Sequence, residues 1–229
     1  MIYYIDSADI NVVIEANRIY PIAGITMNPT IVMKDLKGEK VPFFDLIHRI
    51  REIIGDEKEL HVQVVSTTTE GMIKEARHLR EKITGNLFVK IPACKAGYEA
   101  IKKLTAEGIA ITATAIIDVN QAVLAAQSGA SYVAIYVNRV SNISADGDKV
   151  LADTVKVFKE NNFEAKVLGA SYKNALQVEK AAVNGVYGSA IGYDVFEACA
   201  NHILTDSSVE QFKKDWESLY GVDRSICDC

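Results

Sequence analysis

The stretch Phe88-Val89-Lys90-Ile91-Pro92 places a lysine inside a short apolar segment that is typical of a buried β-strand. Proline cannot donate a hydrogen bond to a sheet, so we expect the strand to end near Pro92, with Lys90 at its carboxyl end. Lysine is rarely buried without a partner, and burial disfavours the charged form of an amine. A neutral amine in an apolar pocket is the usual nucleophile for a Schiff base with a carbonyl compound. The alternative is a lysine that extends from the strand end to water.

This segment belongs to an alternating series of strand and helix patterns. Short β-rich runs occur at residues 2–5, 22–26, 60–65, 87–91, 109–115, 132–137, 166–170 and 186–191. Helical patterns lie between them, the strongest over 70–83. Ser7 or Asp9 is the predicted N-cap of the first helix, and Asp118 caps a later one. Thr30 is the predicted start of a short helix, and 34–40 is a predicted loop.

Strand followed by helix, repeated about eight times, predicts a (β/α)8 TIM barrel with an extra C-terminal helix. Residues 1–229 would form one domain, because no linker or low-complexity segment interrupts the series. Fully apolar strands agree with parallel strands that are covered on both faces. An open, doubly wound sheet is the alternative, but no glycine-rich phosphate motif follows the first strand.

Composition excludes several classes of protein. The chain has 229 residues, 49% hydrophobic and 24% charged, which is ordinary for a globular protein. A net charge of −5 gives no basic surface for nucleic acid. No apolar run is long enough to cross a bilayer, and the N-terminus lacks the features of a secretion signal. We therefore expect a cytoplasmic protein without nucleic-acid or membrane partners.

The cysteines and histidines show no metal-ligand spacing, so we predict no metal and no cofactor. Cys227 and Cys229 form a Cys-Asp-Cys tail, which is either a frayed terminus or a weak metal-site candidate. Apart from Cys94, neither residue type is expected at the carboxyl ends of the strands. This disfavours a metal-dependent aldolase.

The active site of a TIM barrel lies at the carboxyl ends of its strands. The polar residues predicted at those positions are Asp6, Thr26, Asn28, Gln63, Lys90, Thr114, Tyr136, Arg139, Ser171 and Lys173. Each has a structural explanation when taken alone, such as a helix cap, a turn, a core amide or a surface charge. Only the rim of a barrel would bring all of them together.

These residues suggest carbon–carbon bond cleavage through a Schiff base. The Lys90 amine would attack a ketone, and the resulting iminium would stabilise the carbanion left when a neighbouring bond breaks. Tyr136 is the candidate general acid/base, through a water held by Gln63 and Thr114.

The remaining polar residues would bind the rest of a sugar phosphate. Asp6 and Asn28 can form hydrogen bonds with sugar hydroxyls. Arg139, Ser171 and the N-terminus of the next helix would form an anion site, since barrels commonly bind phosphate near strands seven and eight.

Several motifs occur in a recognisable order along the chain. They are Asp6 in the first strand, Gly24-Ile25-Thr26-Met27-Asn28-Pro29-Thr30, Val89-Lys90-Ile91-Pro92, 102–109, Tyr136-Val137-Asn138-Arg139 and 167–173. Over essentially its whole length the chain resembles the transaldolase family of class I aldolases, and within it the small fructose-6-phosphate aldolase subfamily. The resemblance implies that Lys90 forms the Schiff base. It also implies that Asp6, Thr26 and Asn28 contact the dihydroxyacetone part, and that Arg139 and Ser171 hold the phosphate.

Two positions distinguish the subfamilies. The transaldolase pattern looks to have a glutamate where this chain has Gln63 and a phenylalanine where it has Tyr136. The resemblance therefore favours reversible cleavage of fructose 6-phosphate to dihydroxyacetone and glyceraldehyde 3-phosphate. The alternative is a transaldolase, which moves a dihydroxyacetone unit from sedoheptulose 7-phosphate to glyceraldehyde 3-phosphate. Thr112 and Met27 depart from the family pattern, which leaves the preferred aldehyde and donor open.

The resemblance also implies homo-oligomers, commonly pentamer rings paired into decamers. The C-terminal segment 205–221, around Phe212 and Trp216, would then pack on a neighbouring subunit or close its own barrel. A non-catalytic sugar-phosphate-binding barrel is the hypothesis from a different functional class.

Overall fold

The computed structural model describes residues 1–229 and contains a closed barrel of eight parallel strands in chain order. The strands are β1 Ile2–Asp6, β2 Gly24–Thr26, β3 Glu59–Gln63, β4 Leu87–Pro92, β5 Ile111–Ile116, β6 Tyr132–Tyr136, β7 Lys166–Ala170 and β8 Gly188–Ile191. Strand β1 pairs with both β2 and β8, which closes the barrel. The predicted TIM barrel is confirmed and the open sheet is excluded.

Helices connect the strands on the outside of the barrel. They are α1 Ile10–Ile19, α2 Pro29–Asp35, α3 Phe43–Ile54, α4 Thr69–Lys82, α5 Lys95–Ala106, α6 Val119–Gln127, α7 Val137–Ser141, α8 Gly147–Glu160, α9 Ala175–Val183, α10 Tyr193–Ala200 and α11 Ile203–Tyr220. Of the two candidate caps of α1, Asp9 and not Ser7 is the cap, because it accepts from the Asn11 amide; Asp118 is confirmed, because it accepts from the Gln121 amide. Such caps contribute about 1 kcal/mol each.

The main hydrophobic core lies between the outer face of the strands and the surrounding helices. Ile25 and Val89 are fully buried there, and each such side chain contributes roughly 1.5–3 kcal/mol. Gly97 of α5 lies so close to the Pro92 carbonyl that a Cβ atom would overlap it. Glycine therefore lets α5 pack on the end of β4, which holds the strand that carries Lys90.

Three predicted strands, β2, β5 and β8, each begin two residues later than their apolar runs suggest, and for β5 and β8 the cause is visible. The amide of Ile109 donates to Leu104, and the amide of Val186 donates to Ala181, so both close the preceding helix. Hydrogen bonds that terminate a helix therefore outweigh the β-propensity of these residues, and β5 and β8 begin at Ile111 and Gly188.

Helix starts differ from the prediction where a side chain caps the backbone. Asn28 accepts from the Ile31 amide, so α2 begins at Pro29 and not at Thr30, and it extends into the predicted loop. His202 accepts from the Leu204 amide and starts α11 at Ile203, two residues before the predicted C-terminal segment 205–221. The short helix α7 directly after β6 was not predicted.

Helix α11 does not close its own barrel, because none of its residues is buried. Leu204, Phe212 and Leu219 are 68%, 68% and 75% exposed. Only Trp216 and its neighbour Glu217 are partly covered. No helix of the chain is both long and apolar enough to cross a membrane.

Candidate active site

A cavity of about 230 Å³ opens at the carboxyl ends of the strands. The predicted site residues that line it are Asp6, Thr26, Asn28, Lys90, Tyr136, Arg139, Ser171 and Lys173. They come from strands on all sides of the barrel and from the loops that follow them. The closed barrel thus brings together side chains that are up to 167 residues apart in the chain (Asp6 to Lys173).

Lys90 lies on β4 and is 5% exposed. Its neighbours in register are Gln63 on β3 and Thr112 on β5. The Nζ atom forms no hydrogen bond and no ion pair with another residue, although it lines the cavity. A buried primary amine without a protein partner is available to a ligand, and this is the arrangement that Schiff-base chemistry requires.

Asp6 is an acidic residue that lines the same cavity and interacts with the charge of Lys90. It accepts a hydrogen bond of 2.7 Å from the Thr26 hydroxyl. Burial raises the pKa of Asp6, while the charge of Lys90 and the Thr26 hydrogen bond oppose that increase. A carboxyl group with a raised pKa is suited to exchanging protons with a bound substrate.

Tyr136 lies at the end of β6 and is mostly buried. Its phenolic oxygen accepts a hydrogen bond of 3.1 Å from the hydroxyl of Thr114, which lies behind it and not on the cavity surface. Strand β5 has a register irregularity between Ala113 and Ile116, and Ala115 has a φ of +59°. Such a bulge re-aims a neighbouring side chain, here Thr114.

Gln63, like Thr114, is a predicted site residue that the structure does not place on the surface of the Lys90 cavity. It lines an adjoining, mostly apolar cavity of about 460 Å³, and Asn28 contributes to both cavities. Its side-chain oxygen is buried and accepts no hydrogen bond from the protein. The larger cavity is lined by no lysine, so the amine that could form a Schiff base belongs to the smaller cavity.

Two cationic side chains lie at the mouth of the cavity, where the carboxylate of Asp194 is also exposed. Arg139 lies on α7, and its guanidinium group lies 4.9 Å from the centre of the Tyr136 ring. Ser171 follows β7 in a left-handed conformation, with a φ of +62°, and Lys173 comes two residues later. Gly192, the N-cap of α10, also lines the cavity. Two cations, a hydroxyl group and a helix N-terminus together favour an anion such as a phosphate.

Sequence reasoning missed several lining residues, above all His61 and Thr112. The expectation that no histidine lies at this site is therefore wrong. The alternation Glu59-His61-Gln63 on β3 is the signal that could have revealed His61, since residues two apart share one face of a strand. No three His, Cys, Asp or Glu side chains are grouped so that they could hold a metal ion.

Comparison with known proteins agrees with the site. The family model described as Transaldolase/Fructose-6-phosphate aldolase matches residues 3–223. A "Probable fructose-6-phosphate aldolase" of Streptococcus pneumoniae is 37% identical over 216 residues, 94% of this chain and 96% of that protein. A "Probable transaldolase" of Heliobacterium modesticaldum is also 37% identical, over 96% of this chain and 99% of its own length.

Solved structures support the fold alone. A mutant flavocytochrome b2 with benzoylformate aligns with a TM-score of 0.61 at 13% identity, covering 96% of this chain and 65% of that one. The match of the family model and of both full-length relatives is much more specific. Together with the cavity around Lys90, it establishes that the chain belongs to the transaldolase/fructose-6-phosphate aldolase family.

Proposed function

We propose that the protein is a Schiff-base aldolase that reversibly cleaves fructose 6-phosphate to dihydroxyacetone and glyceraldehyde 3-phosphate. The observation that carries this proposal is the buried, unpartnered amine of Lys90 in a cavity with Asp6 and the Tyr136–Thr114 pair. No cofactor takes part in the proposed reaction. Its substrates are sugar phosphates, small hydroxyketones and aldehydes.

The reaction begins at the ketone carbonyl. The Lys90 amine attacks this carbon to give a carbinolamine, which loses water and becomes an iminium. Asp6, whose pKa is raised by burial, is placed to exchange the protons that these steps require. Its hydrogen bond from Thr26 holds the carboxyl group in position.

Bond cleavage follows from the electron demand of the iminium. A base removes the proton of the C4 hydroxyl, the C3–C4 bond breaks, and its electron pair forms an enamine while glyceraldehyde 3-phosphate leaves. Tyr136 is the proposed proton carrier, with Thr114 orienting its phenolic oxygen. Protonation of the enamine at C3 and hydrolysis of the iminium release dihydroxyacetone and restore the amine.

The remaining residues bind the substrate. Asn28 would form hydrogen bonds with sugar hydroxyls at the wall that the two cavities share. Arg139, Ser171 and Lys173 would hold the phosphate at the mouth of the cavity. Gln63 is proposed to act from the adjoining cavity, where its unpaired oxygen can accept a hydrogen bond from a water.

Borohydride trapping tests the proposal directly. Incubation with dihydroxyacetone and borohydride, followed by peptide mass mapping, should place a reduced adduct on Lys90. Lys90→Met should form no adduct. A non-catalytic binding barrel would instead form no adduct in the native protein, and Lys90→Met would retain ligand binding. Either of these results would refute the proposal.

Transaldolase activity is the second candidate, because the relative from Heliobacterium modesticaldum carries that name at the same identity as the aldolase. Both activities share the Lys90 chemistry and differ in the fate of the enamine. The residues at positions 63 and 136 favour the aldolase. An assay of free dihydroxyacetone against transfer to erythrose 4-phosphate separates them, and strong transfer without detectable free dihydroxyacetone would favour the transaldolase.

We further infer that the protein is a homo-oligomer, a pentamer or decamer, in which α11 packs on a neighbouring copy. This helix spans 18 residues without a buried side chain, and its apolar residues are exposed. An isolated helix with such a surface gains stability from a partner and little from its own propensity.

A further inference from the structure

A directed chain of hydrogen bonds runs through the barrel interior to the wall of the active-site cavity. The Nε2 atom of His61 lies 3.1 Å from a carboxylate oxygen of Glu59. The Nδ1 atom of the same ring lies 2.8 Å from the hydroxyl of Thr112. His61 is fully buried, Thr112 is 1% exposed, and both line the cavity that contains Lys90.

The protonation state of Glu59 determines which atoms donate and which accept in this series of hydrogen bonds. Burial opposes ionisation of Glu59, but hydrogen bonds from His61, Tyr4 and Tyr132 lower its pKa overall. An ionised carboxylate can only accept hydrogen bonds, so the Nε2 atom of His61 must donate. Burial lowers the pKa of His61, and the charge of Lys90 adds to this effect while Glu59 opposes it. The ring is therefore neutral near pH 7.

A neutral imidazole has one donor and one acceptor nitrogen. Since Nε2 donates to Glu59, Nδ1 carries the lone pair, and the hydrogen-bonded proton must come from the Thr112 hydroxyl. The only proton of that hydroxyl is thus committed to His61. Toward the cavity, the Thr112 oxygen can therefore only accept a hydrogen bond, through its remaining lone pairs.

Thr112 occupies the deep end of the cavity. Arg139 and Lys173, by contrast, are exposed at the mouth. A ketone joined through its carbonyl carbon to Lys90 has two arms. If the arm that carries the aldehyde fragment and its phosphate extends toward the mouth, the other arm points toward Thr112, the strand neighbour of Lys90.

Apart from the reacting amine, the other buried side chains that line the cavity are either apolar or already paired, since the Thr26 hydroxyl donates to Asp6. Ala134, Leu168 and Ala190 have no polar side-chain atoms. Both nitrogens of His61 already have partners within the protein.

We propose that Thr112 is a specificity-determining residue. It accepts a hydrogen bond from the hydroxyl on the unreactive arm of the ketone, the arm that takes no part in bond formation. His61 is a positioning residue that holds the Thr112 hydroxyl in this orientation. The inference rests on the proposed Schiff-base function and deepens it. It selects ketones with a hydroxyl on both arms, such as dihydroxyacetone, over hydroxyacetone, which lacks the second hydroxyl.

The test compares these two donors in addition to glyceraldehyde 3-phosphate. In Thr112→Val, the ratio of kcat/KM for dihydroxyacetone to that for hydroxyacetone should fall about tenfold, the size expected for one lost hydrogen bond. Thr112→Ser should restore the ratio. Thr154→Val removes a buried threonine hydroxyl outside the cavity, on α8, and should keep the native ratio.

His61 variants test the direction of the chain. His61→Phe removes the acceptor for the Thr112 proton, so the ratio should fall in the same direction as in Thr112→Val. His61→Asn places an amide near the position of Nδ1 and should recover part of the ratio. A merely structural role of His61 would change both donors equally and leave the ratio constant.

The outcomes separate this inference from the proposed function. If native protein forms the borohydride adduct but the ratio is the same in native protein and in Thr112→Val, the specificity inference is wrong and the Schiff-base function stands. If native protein forms no adduct with either ketone, the proposed function fails and this inference fails with it. Should Thr112→Val not fold, the ratio in Thr112→Ser and in the two His61 variants decides the question.

Discussion

The Oγ1 atom of Thr114 donates a hydrogen bond of 3.1 Å to the phenolic oxygen of Tyr136. This leaves the phenolic proton of Tyr136 free for a bond toward the cavity, because its oxygen is already engaged as an acceptor. The guanidinium group of Arg139 lies over the face of the same ring, 4.9 Å from its centre. Tyr136 is thus fixed by two neighbours while its hydroxyl faces the substrate site.

Tyr136→Phe should therefore lower kcat for cleavage of fructose 6-phosphate by roughly 10²–10⁴-fold, the range for loss of a general acid/base. Borohydride adduct formation at Lys90 should be slowed but retained, since the amine is unchanged. Thr114→Val should have a smaller effect of the same kind. Steady-state kinetics together with adduct mass measure both effects, and a fully active Tyr136→Phe would exclude this tyrosine as the proton carrier.

Lys90→Met should abolish cleavage and at the same time stabilise the fold. Methionine fills similar space, and it removes a buried amine that has no protein partner. A gain of about 1 kcal/mol would raise Tm by roughly 2–4 °C in a chain of this size. Thermal unfolding provides the measurement, and Lys149→Met, at an exposed lysine paired with Asp153, is the matched control. A lower Tm for Lys90→Met would show that the amine stabilises the fold.

Asp6→Asn should increase stability more at pH 7 than at pH 4. Burial raises the folded-state pKa of Asp6 above its ordinary value of 3.8. The folded protein therefore keeps a proton that the unfolded chain has already released, so stability due to Asp6 falls as pH rises through the folded pKa. Asparagine still accepts from Thr26 and has no charge to desolvate. Tm measured at both pH values checks this, with Asp45→Asn at an exposed, unpaired aspartate as control. An equal gain at the two pH values would contradict the prediction.

Arg139→Gln should weaken binding of phosphorylated substrates selectively. The expected increase in KM for glyceraldehyde 3-phosphate is about tenfold or more, because a charge-assisted hydrogen bond to the phosphate is lost. The KM for unphosphorylated glyceraldehyde should change much less. Arg139→Lys retains the charge but lacks the planar guanidinium group, so its KM for glyceraldehyde 3-phosphate should lie between those of native protein and Arg139→Gln. Equal losses for both aldehydes would place the phosphate elsewhere.

The barrel and most of its rim were predictable because they rest on local patterns. Apolar runs ending in polar residues gave all eight strands, and Lys90 followed from the position of Pro92 at the end of its strand. Once strands are parallel and closed, their carboxyl ends must converge, so residues as distant as Asp6 and Arg139 line one cavity.

The interior contacts could not be predicted in the same way. The apolar reading of β3 overlooked the alternation of Glu59, His61 and Gln63. The partners that Glu59 and His61 find on other strands, by contrast, depend on the register of the closed barrel. The displacement of Gln63 toward the adjoining cavity is equally a tertiary effect. Sequence pattern defines which residues share a face, whereas packing determines which cavity that face borders.

Helix α11 provides the last prediction, which concerns assembly. Phe212 is 68% exposed in the middle of this helix, where a single chain gains nothing from an aromatic ring in water. In a cyclic oligomer the phenyl group of Phe212 would be buried against a neighbouring copy. Phe212→Glu introduces a charge at that position and should shift the molar mass toward smaller species.

Light scattering coupled to size exclusion measures the shift directly. Asp215→Asn changes the charge of an exposed residue on the same helix and is the control for a general effect of surface charge. No residue of α11 belongs to the hydrophobic core, so the circular dichroism spectrum of Phe212→Glu should remain that of a folded barrel. If native protein is a monomer, or if Phe212→Glu has the native molar mass, α11 is not the contact that assembles the ring.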